Sequence, residues 1–398
     1  MKTIMVPPVA ATQNIHIGNL YTWFVADFLV RATEYFGDKA QCFQAWNCYS
    51  QKLEEKVGFD LPEDIVNACA ESTEEAIKKA QSLFETYHLK IVSPYFKDNS
   101  IEFKNFLNEK ISFLELNGRI KDSKINIPGS KEIYKKSESI IWVPSTVRNN
   151  IQGFASLEQP SQINIFRNGH WGIKHNQGVL GQRFVQAFFP NFYSNQLNSD
   201  INFCVCGKDI IGKWLYLVLS YNDYVPIKTI ATHGMVLNSN GRKISKYDPL
   251  TTNLYDLDFN SDSIRLYFMN QKFGNDFLYP SDLKEEDRFL RKIHHSLSFL
   301  VNVPTKVGVA SLQQDLIILK SSSDDIVHKI LNFEFSKAYR SFKQLFYSQI
   351  SRGLINQIKS KGITTKNKSG LLKELGSLVK VFCPDVVSSD SNFYHLVN

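Results

Sequence analysis

In the first hundred residues, apolar runs of strand length alternate with amphipathic stretches of helical length, and few folds accept that order. Thr3-Ile4-Met5-Val6 reads as a short buried strand ended by Pro7-Pro8. Residues 20–34 then carry Leu20, Phe24, Phe28 and Leu29 at helical spacing, and residues 40–46 read as a second strand. Residues 64–88 and 100–116 are amphipathic helices with a Glu/Lys surface. This alternation predicts an α/β fold, a Rossmann-like doubly wound parallel sheet.

From about residue 120 to 200 the chain becomes rich in Asn, Gln, Ser and Gly, with short β-like runs at 140–143 and 162–166. It is expected to be an insertion that leaves the sheet. The α/β pattern resumes with a strand at 201–206, a helix at 214–220 and a strand at 228–232. Beyond about Asp262 the pattern is almost entirely helical, with a serine-rich break at Ser321-Ser322-Ser323. The expected organisation is a catalytic domain over 1–120 and 200–260, a shortened connective insertion over 121–199, and an α-helical domain over 261–398.

Composition narrows the function classes. No run approaches the ~20 apolar residues needed to cross a bilayer, and the start of the chain has no signal-peptide pattern, so no membrane partner is expected. Six cysteines in 398 residues make no disulfide framework, which points to a reduced cytoplasmic setting. The net charge is +7, with lysines gathered at 359–361, 366–368, 373 and 380. Such a run is either a solvated helix face or a contact with a nucleic-acid backbone.

Two segments carry phosphate chemistry. His16-Ile17-Gly18-Asn19 sits where the first strand turns into the first helix, and unpaired N–H groups at such a helix start attract anions. Gly18 allows a ligand close to the backbone. Far downstream, Thr232-His233-Gly234 ends a strand, and Lys243-Ile244-Ser245-Lys246 presents two ammonium groups on a loop. Such a pair suits a pyrophosphate leaving group, whose charge grows during adenylyl transfer. Each segment alone is ordinary; together they fall at the C-terminal edge of one parallel sheet, where such folds bind ligands. Gly207 to Trp214 has P-loop spacing, but Trp214 stands where a Ser or Thr must ligate Mg²⁺. Cys204 and Cys206 lack a second ligand pair nearby, and no protein-held metal is expected.

These two segments resemble the HIGH and KMSKS signatures of class I aminoacyl-tRNA synthetases, in the order and long separation of that class. The surroundings resemble the isoleucyl, valyl, leucyl and methionyl subgroup. Residues 45–57 (AWNCYSQKLEEKV) are similar to GWDCHGLPIEQKV of the isoleucyl enzyme, and residues 207–214 (GKDIIGKW) to its GSDQHRGW. The stretch from His233 to Lys246 is similar to HGFVLDxxGRKMSK, and residues 289–293 and 333–339 look like parts of the subgroup's anticodon-binding helices.

The resemblance implies ATP and Mg²⁺, an amino acid as substrate and tRNA as acceptor. It implies that His16 and Asn19 contact the ATP phosphates, with Gly18 under the adenine. Lys243 and Lys246 hold the pyrophosphate, and Asp209 takes the ribose hydroxyls. Gly207, His233 and Ser245 complete the ATP site. Trp46, Asn47 and Trp214 belong to the amino-acid pocket. The chain also departs from the pattern. Asn19 replaces the second motif His, as in the cysteinyl branch's HIGN, and Tyr247 replaces the last Ser of KMSKS. Asn47 stands where the isoleucyl enzyme has the Asp that grips the substrate's ammonium, and a charge-assisted bond is worth about twice a neutral one. About 65 residues separate Trp142 from Gly207, too few for the editing domain of the isoleucyl, valyl and leucyl enzymes. Three readings stand: a tRNA ligase, a paralogue that passes its activated amino acid to a small-molecule amine, and a decayed synthetase acting as an RNA-binding module.

Overall fold

The computed structural model describes residues 1–11, 15–57, 61–91, 96–151, 162–175, 178–244, 254, 259–307 and 312–388, with Lys52 and Phe96 described through their backbone only. Six strands form one sheet: β1 (Lys2–Ala10), β2 (Ala40–Asn47), β3 (Phe96–Lys97), β4 (Ile141–Val143), β5 (Ile201–Gly207) and β6 (Ile227–His233). Their spatial order is β3-β2-β1-β5-β6-β4, and every pair is parallel. The chain winds outward from β1 through β2 to β3 on one side, and through β5 to β6 on the other. The order therefore reverses between β1 and β5, the place where open parallel sheets leave a crevice at their carboxyl ends.

Both faces of the sheet are covered, as parallel sheets require. Ile4 and Val6 join one core and Met5 the other, following the two-residue period of a strand. Helix α1 (Ile17–Tyr35) lies on the first face, and every residue from Leu20 to Thr33 is buried. A helix buried all round has neighbours on all sides. Here they are the sheet and three helices of the C-terminal region: α2 (Ser261–Asn270), α4 (Gln313–Leu331) and α6 (Thr365–Phe382). Helices α3 (Lys284–Asn302) and α5 (Phe335–Gln344) complete that bundle. No helix among the described residues is long and apolar enough to cross a membrane.

Three local expectations are corrected. Pro7-Pro8 does not end β1; the strand runs on to Ala10 with a register shift between Val6 and Val9. A proline has no N–H for the ladder. Across the shift the Gln44 side-chain amide donates to the Pro7 carbonyl at 3.2 Å instead. The segment 121–199 does not leave the sheet altogether, because Ile141–Val143 pairs with β6 as the edge strand β4. Three residues in polar surroundings give too short a pattern to reveal a strand that needs only one neighbour. Among the described residues, the rest of that segment forms two small antiparallel sheets, three short α-helices and two 3-10 turns. Ser321-Ser322-Ser323 is not a break, since α4 continues through it. Leu319, Ile326, Val327 and Ile330 are buried along one side, and such packing outweighs the few tenths of a kcal/mol per serine lost in propensity.

One buried charge cluster joins α1 to the C-terminal bundle. Asp27 on α1 is fully buried; its Oδ2 accepts from Arg31 at 2.7 Å and from Arg265 of α2 at 2.6 Å. Its Oδ1 accepts from the Lys90 amide at 2.7 Å, and Arg265 also donates to the Phe382 carbonyl of α6 at 3.2 Å. Burial pushes the Asp27 carboxyl up, but Arg31, Arg265 and the Lys90 amide together hold it below its ordinary value. Its stabilising contribution is thus full above the ordinary carboxylate range and is lost as pH falls through the lower native value. Asp27→Asn keeps the shape and strands two buried guanidinium groups, so it should cost about 3–5 kcal/mol in urea unfolding at neutral pH. The gap from the unaltered protein should narrow as the pH is lowered through the carboxylate range.

Candidate active site

The crevice between β1 and β5 holds a cavity of about 220 Å³ lined by Val6 to Ala10, His16, Asn19, Thr22, Trp23, Cys206, Gly207 and Ile210. The start of α1 forms its floor. His16 is the residue before the helix, with extended backbone, and its Nδ1 accepts from the Gly18 amide at 3.1 Å. Asn19 reciprocates, its Oδ1 accepting from the His16 amide at 3.3 Å. This is a capping box, in which each side chain satisfies a backbone donor that the first turn leaves unpaired. Asn19 thus has a local reason to be there. With Nδ1 accepting, the neutral ring carries its proton on Nε2. Gly18 permits the ring to fold back, because a Cβ there would stand 2.9 Å from His16 Cε1.

The opposite wall comes from the ends of β5 and β6. A Cβ on Gly207 would meet Asp209 Oδ1 at 2.8 Å and His233 Cε1 at 3.4 Å, so the glycine leaves space beside both. Asp209 pairs with Lys243 at 2.5 Å and lies 3.8 Å from Lys213. Burial pushes its carboxyl up, and the Lys243 hydrogen bond and charge bring it below the ordinary value. Lys243 is carried there by a hairpin in which Ile244 N donates to Val236 O at 3.1 Å and Asn238 N to Arg242 O at 2.8 Å. Ser245, Lys246 and Tyr247 lie outside the described residues.

His233 is placed one layer behind the cavity. It is buried, and its Nε2 lies 2.8 Å from Thr22 Oγ1 on α1, with Nδ1 2.8 Å from the Gly234 carbonyl. The Tyr21 ring meets it edge-on at 4.7 Å. Burial pushes the imidazole down to about 4, so it is neutral near pH 7 and ties β6 to α1 without charge. Trp46 and Trp214 do not line the 220 Å³ cavity either. Trp46 is fully buried beside Phe84, ring centres 6.5 Å apart, and Trp214 donates to the Gln186 carbonyl at 2.9 Å. Asn47 is buried at the end of β2, register partner of Ala10 at the cavity's edge.

Several contributors escaped the sequence reading. Trp23 and Thr22 line the cavity from the second turn of α1, hidden in the sequence by the helix's apolar run. Asp276 accepts from Lys208 at 2.5 Å and from the Met235 amide at 2.7 Å, clasping the β5 and β6 ends from a distant turn. Glu54 accepts from Arg167 at 2.8 Å and from the amides of His170 and Trp171, which pins the connective segment over β2. Burial raises the Glu54 carboxyl, and those donors bring it below its ordinary value. A second, larger cavity of about 730 Å³ opens beneath this segment, lined by Ser50, Gln51, Glu55, Arg167, Arg183 and Tyr221 among others. Ala10 borders both cavities. Among the described residues no group of three or more His, Cys, Asp or Glu could hold a metal ion.

The clasp gives a stability prediction. A Cβ on Gly234 would overlap the Asn275 carbonyl oxygen at 1.9 Å, a backbone atom that cannot swing aside. Gly234→Ala should therefore cost about 1–3 kcal/mol and lower the melting temperature, checked by thermal unfolding.

No family model matches the chain. Among curated proteins it is similar to the valine–tRNA ligase of Mycoplasmopsis synoviae, 23% identical over 403 residues, covering 93% of this chain. It is also similar to the isoleucine–tRNA ligase of Onion yellows phytoplasma, 24% identical over 162 residues and 38% of this chain. The chain spans 45% of the first relative's length and 17% of the second's. Among solved structures it superposes on Mycobacterium tuberculosis methionyl-tRNA synthetase bound by methionyl-adenylate, with a TM-score of 0.73 at 13% identity; the match covers 100% of this chain and 96% of that one. A leucyl enzyme of Agrobacterium radiobacter K84, in a ternary complex with tRNA and LeuAMS, matches with a TM-score of 0.74 at 11% identity over 100% of this chain and 85% of that one. In sequence the chain is similar to valyl and isoleucyl enzymes, and in fold to methionyl and leucyl ones, all class I aminoacyl-tRNA synthetases.

Proposed function

We propose that the protein activates an amino acid with ATP as the aminoacyl-adenylate and passes it to the 3′ end of a tRNA. The observation that carries this reading is that His16, Asn19 and Gly207, from distant segments of the sequence, line one cleft at the sheet's switch point, with Asp209 and its partner Lys243 beside Gly207. Donors at the start of α1 suit the triphosphate, with the Nε2 proton of His16 directed to a phosphate oxygen. Gly207 leaves room for the nucleoside, and the Asp209 carboxylate accepts from the ribose hydroxyls. The substrate carboxylate attacks the α-phosphorus; a P–O bond to the carboxylate forms as the bond to the bridging oxygen breaks, and pyrophosphate departs with that electron pair. Lys243 and Lys246 stabilise the departing charge. Mg²⁺ accompanies the ATP phosphates and supplies further charge neutralisation there, as is usual where a metal is held mainly by the nucleotide.

Before nucleotide arrives, Lys243 is held by Asp209 at 2.5 Å. Ribose hydroxyls that claim the carboxylate release that ammonium toward the phosphates, so nucleoside recognition and leaving-group stabilisation act in sequence. The basic residues of the C-terminal bundle support tRNA as acceptor. The 730 Å³ cavity beneath the connective segment favours the second reading, a small-molecule amine as acceptor, because it adjoins the first cavity at Ala10.

Amino-acid-dependent exchange of labelled pyrophosphate into ATP, run across the standard amino acids, tests activation. Lys243→Ala should lower the exchange rate by about 10²–10³ with little change in unfolding temperature, since the side chain is 40% exposed. An unchanged rate would remove the assigned role. Charging of total tRNA with the activated amino acid then separates the two acceptors: aminoacylated tRNA supports the first reading, and adenylate without charging supports the second.

A further inference from the structure

The larger cavity, about 730 Å³, is walled by segments that lie far apart in the sequence. Leu217 and Tyr221 stand one turn apart on the helix Tyr216–Tyr221, so one helical face presents both to the hollow. Gln51 and Glu55 do the same on the helix Gln51–Val57. The connective segment adds Ile163, Arg167, Arg183 and Phe184. Two of the polar groups on these walls are already engaged. Arg167 is paired with Glu54 at 2.8 Å, and the Glu55 carboxylate accepts from the Gln51 amide at 3.0 Å.

Two others are not. Arg183 makes no ion pair or hydrogen bond among the described residues, and Glu55, the carboxylate on these walls, lies beyond ion-pair distance of it. Tyr221 is 2% exposed, yet its hydroxyl has no hydrogen-bond partner among the described residues. A buried phenol ordinarily finds one. Burial and the neighbouring Tyr216 push the Tyr221 hydroxyl up to about 12, and the Arg183 charge draws it down, so the guanidinium and the phenol act on the same space. Ile163, Phe184 and Leu217 give the cavity apolar surface besides. A volume of this size falls within the ~300–1,000 Å³ of small-molecule sites, which combine apolar walls with a few polar anchors.

We propose that this cavity binds a small organic carboxylate, its acid group on the Arg183 guanidinium and the Tyr221 hydroxyl and its apolar body against Phe184 and Leu217. A carboxylate accepts from both kinds of donor, and a guanidinium pairs with it through two parallel N–H bonds. One uncompensated positive charge matches a monoanion, whereas a phosphate dianion would call for a second cation. The site touches the activation cleft at Ala10 but uses none of the groups given to ATP. It goes beyond the proposed activation chemistry and does not depend on it.

Para-fluorobenzoate, followed by fluorine NMR in titrations of the full chain, tests the assignment. It should bind saturably, and its neutral counterpart para-fluorobenzamide should bind about tenfold more weakly or less. Arg183→Gln should weaken the benzoate about ten- to hundredfold. The same change should leave the benzamide and the unfolding temperature unaffected, since the side chain is exposed. Arg183→Lys, which keeps the charge and loses the planar fork, should fall between the two. Tyr221→Phe should cost the benzoate about three- to tenfold; should that variant not fold, the two Arg183 variants decide. Absence of saturable benzoate binding, equal binding of benzoate and benzamide, or benzoate binding that survives Arg183→Gln each overturns the assignment.

Discussion

Three charges packed where water does not reach set the geometry of the molecule. Asp27 between Arg31 and Arg265 binds one turn of α1 to α2, and through the Phe382 carbonyl to α6. A buried ion cluster is weak evidence for net stability, because desolvation offsets most of the attraction. What it does supply is a defined arrangement: a helix with apolar residues on every side could rotate or slide among its neighbours at small cost, whereas a carboxylate between two guanidinium groups has one acceptable position. The start of that helix is the floor of the cleft. The direction of the Gly18 amide and the His16 ring therefore depends on contacts made three turns further along, by residues that belong to the C-terminal bundle.

At the cleft, the same economy of groups recurs in a more open setting. Asp209 and Lys243 neutralise one another, and both are partly accessible, so their pairing is readily exchanged for pairing with a ligand. His233, by contrast, is sealed and neutral, and its imidazole bridges Thr22 on α1 to the Gly234 carbonyl after β6. A hydroxyl has one proton to give. Thr22 Oγ1 lies 3.0 Å from the Gly18 carbonyl and 2.8 Å from His233. The Gly234 carbonyl can only accept, so Nδ1 carries the ring proton and the Thr22 hydroxyl donates to Nε2 rather than to the Gly18 carbonyl.

The sheet and its crevice were legible because they rest on strong local signals. A strand-length apolar run, a helix-length one and a His-x-Gly-Asn turn between them state the local fold without reference to anything distant. What escaped was everything decided by partners far along the chain. β4 is three residues long and is a strand only because β6 offers it an edge. Pro7-Pro8 looks like punctuation, yet the neighbouring strand β2 and the Gln44 side chain carry β1 through it. The serines of α4 are weak helix formers held by the buried side chains around them. Likewise Asn47 reads in sequence as a lost charge, while the carboxyl beside it comes from a strand fifty positions away.

On the proposed reading, that last displacement bears on substrate choice. One methylene in an apolar pocket is worth only ~1–3 kcal/mol. Discrimination by polar groups is steeper, since a ligand that leaves a buried carboxyl unpaired forfeits far more than one that leaves a small void. Asp98 sits behind the Cys48 peptide, which Trp171 grips from the connective segment, and that segment is fastened by Glu54 and Arg167. The Cys48 backbone is thus braced from two sides, by Asp98 and by Trp171, close to Ala10, which borders both cavities.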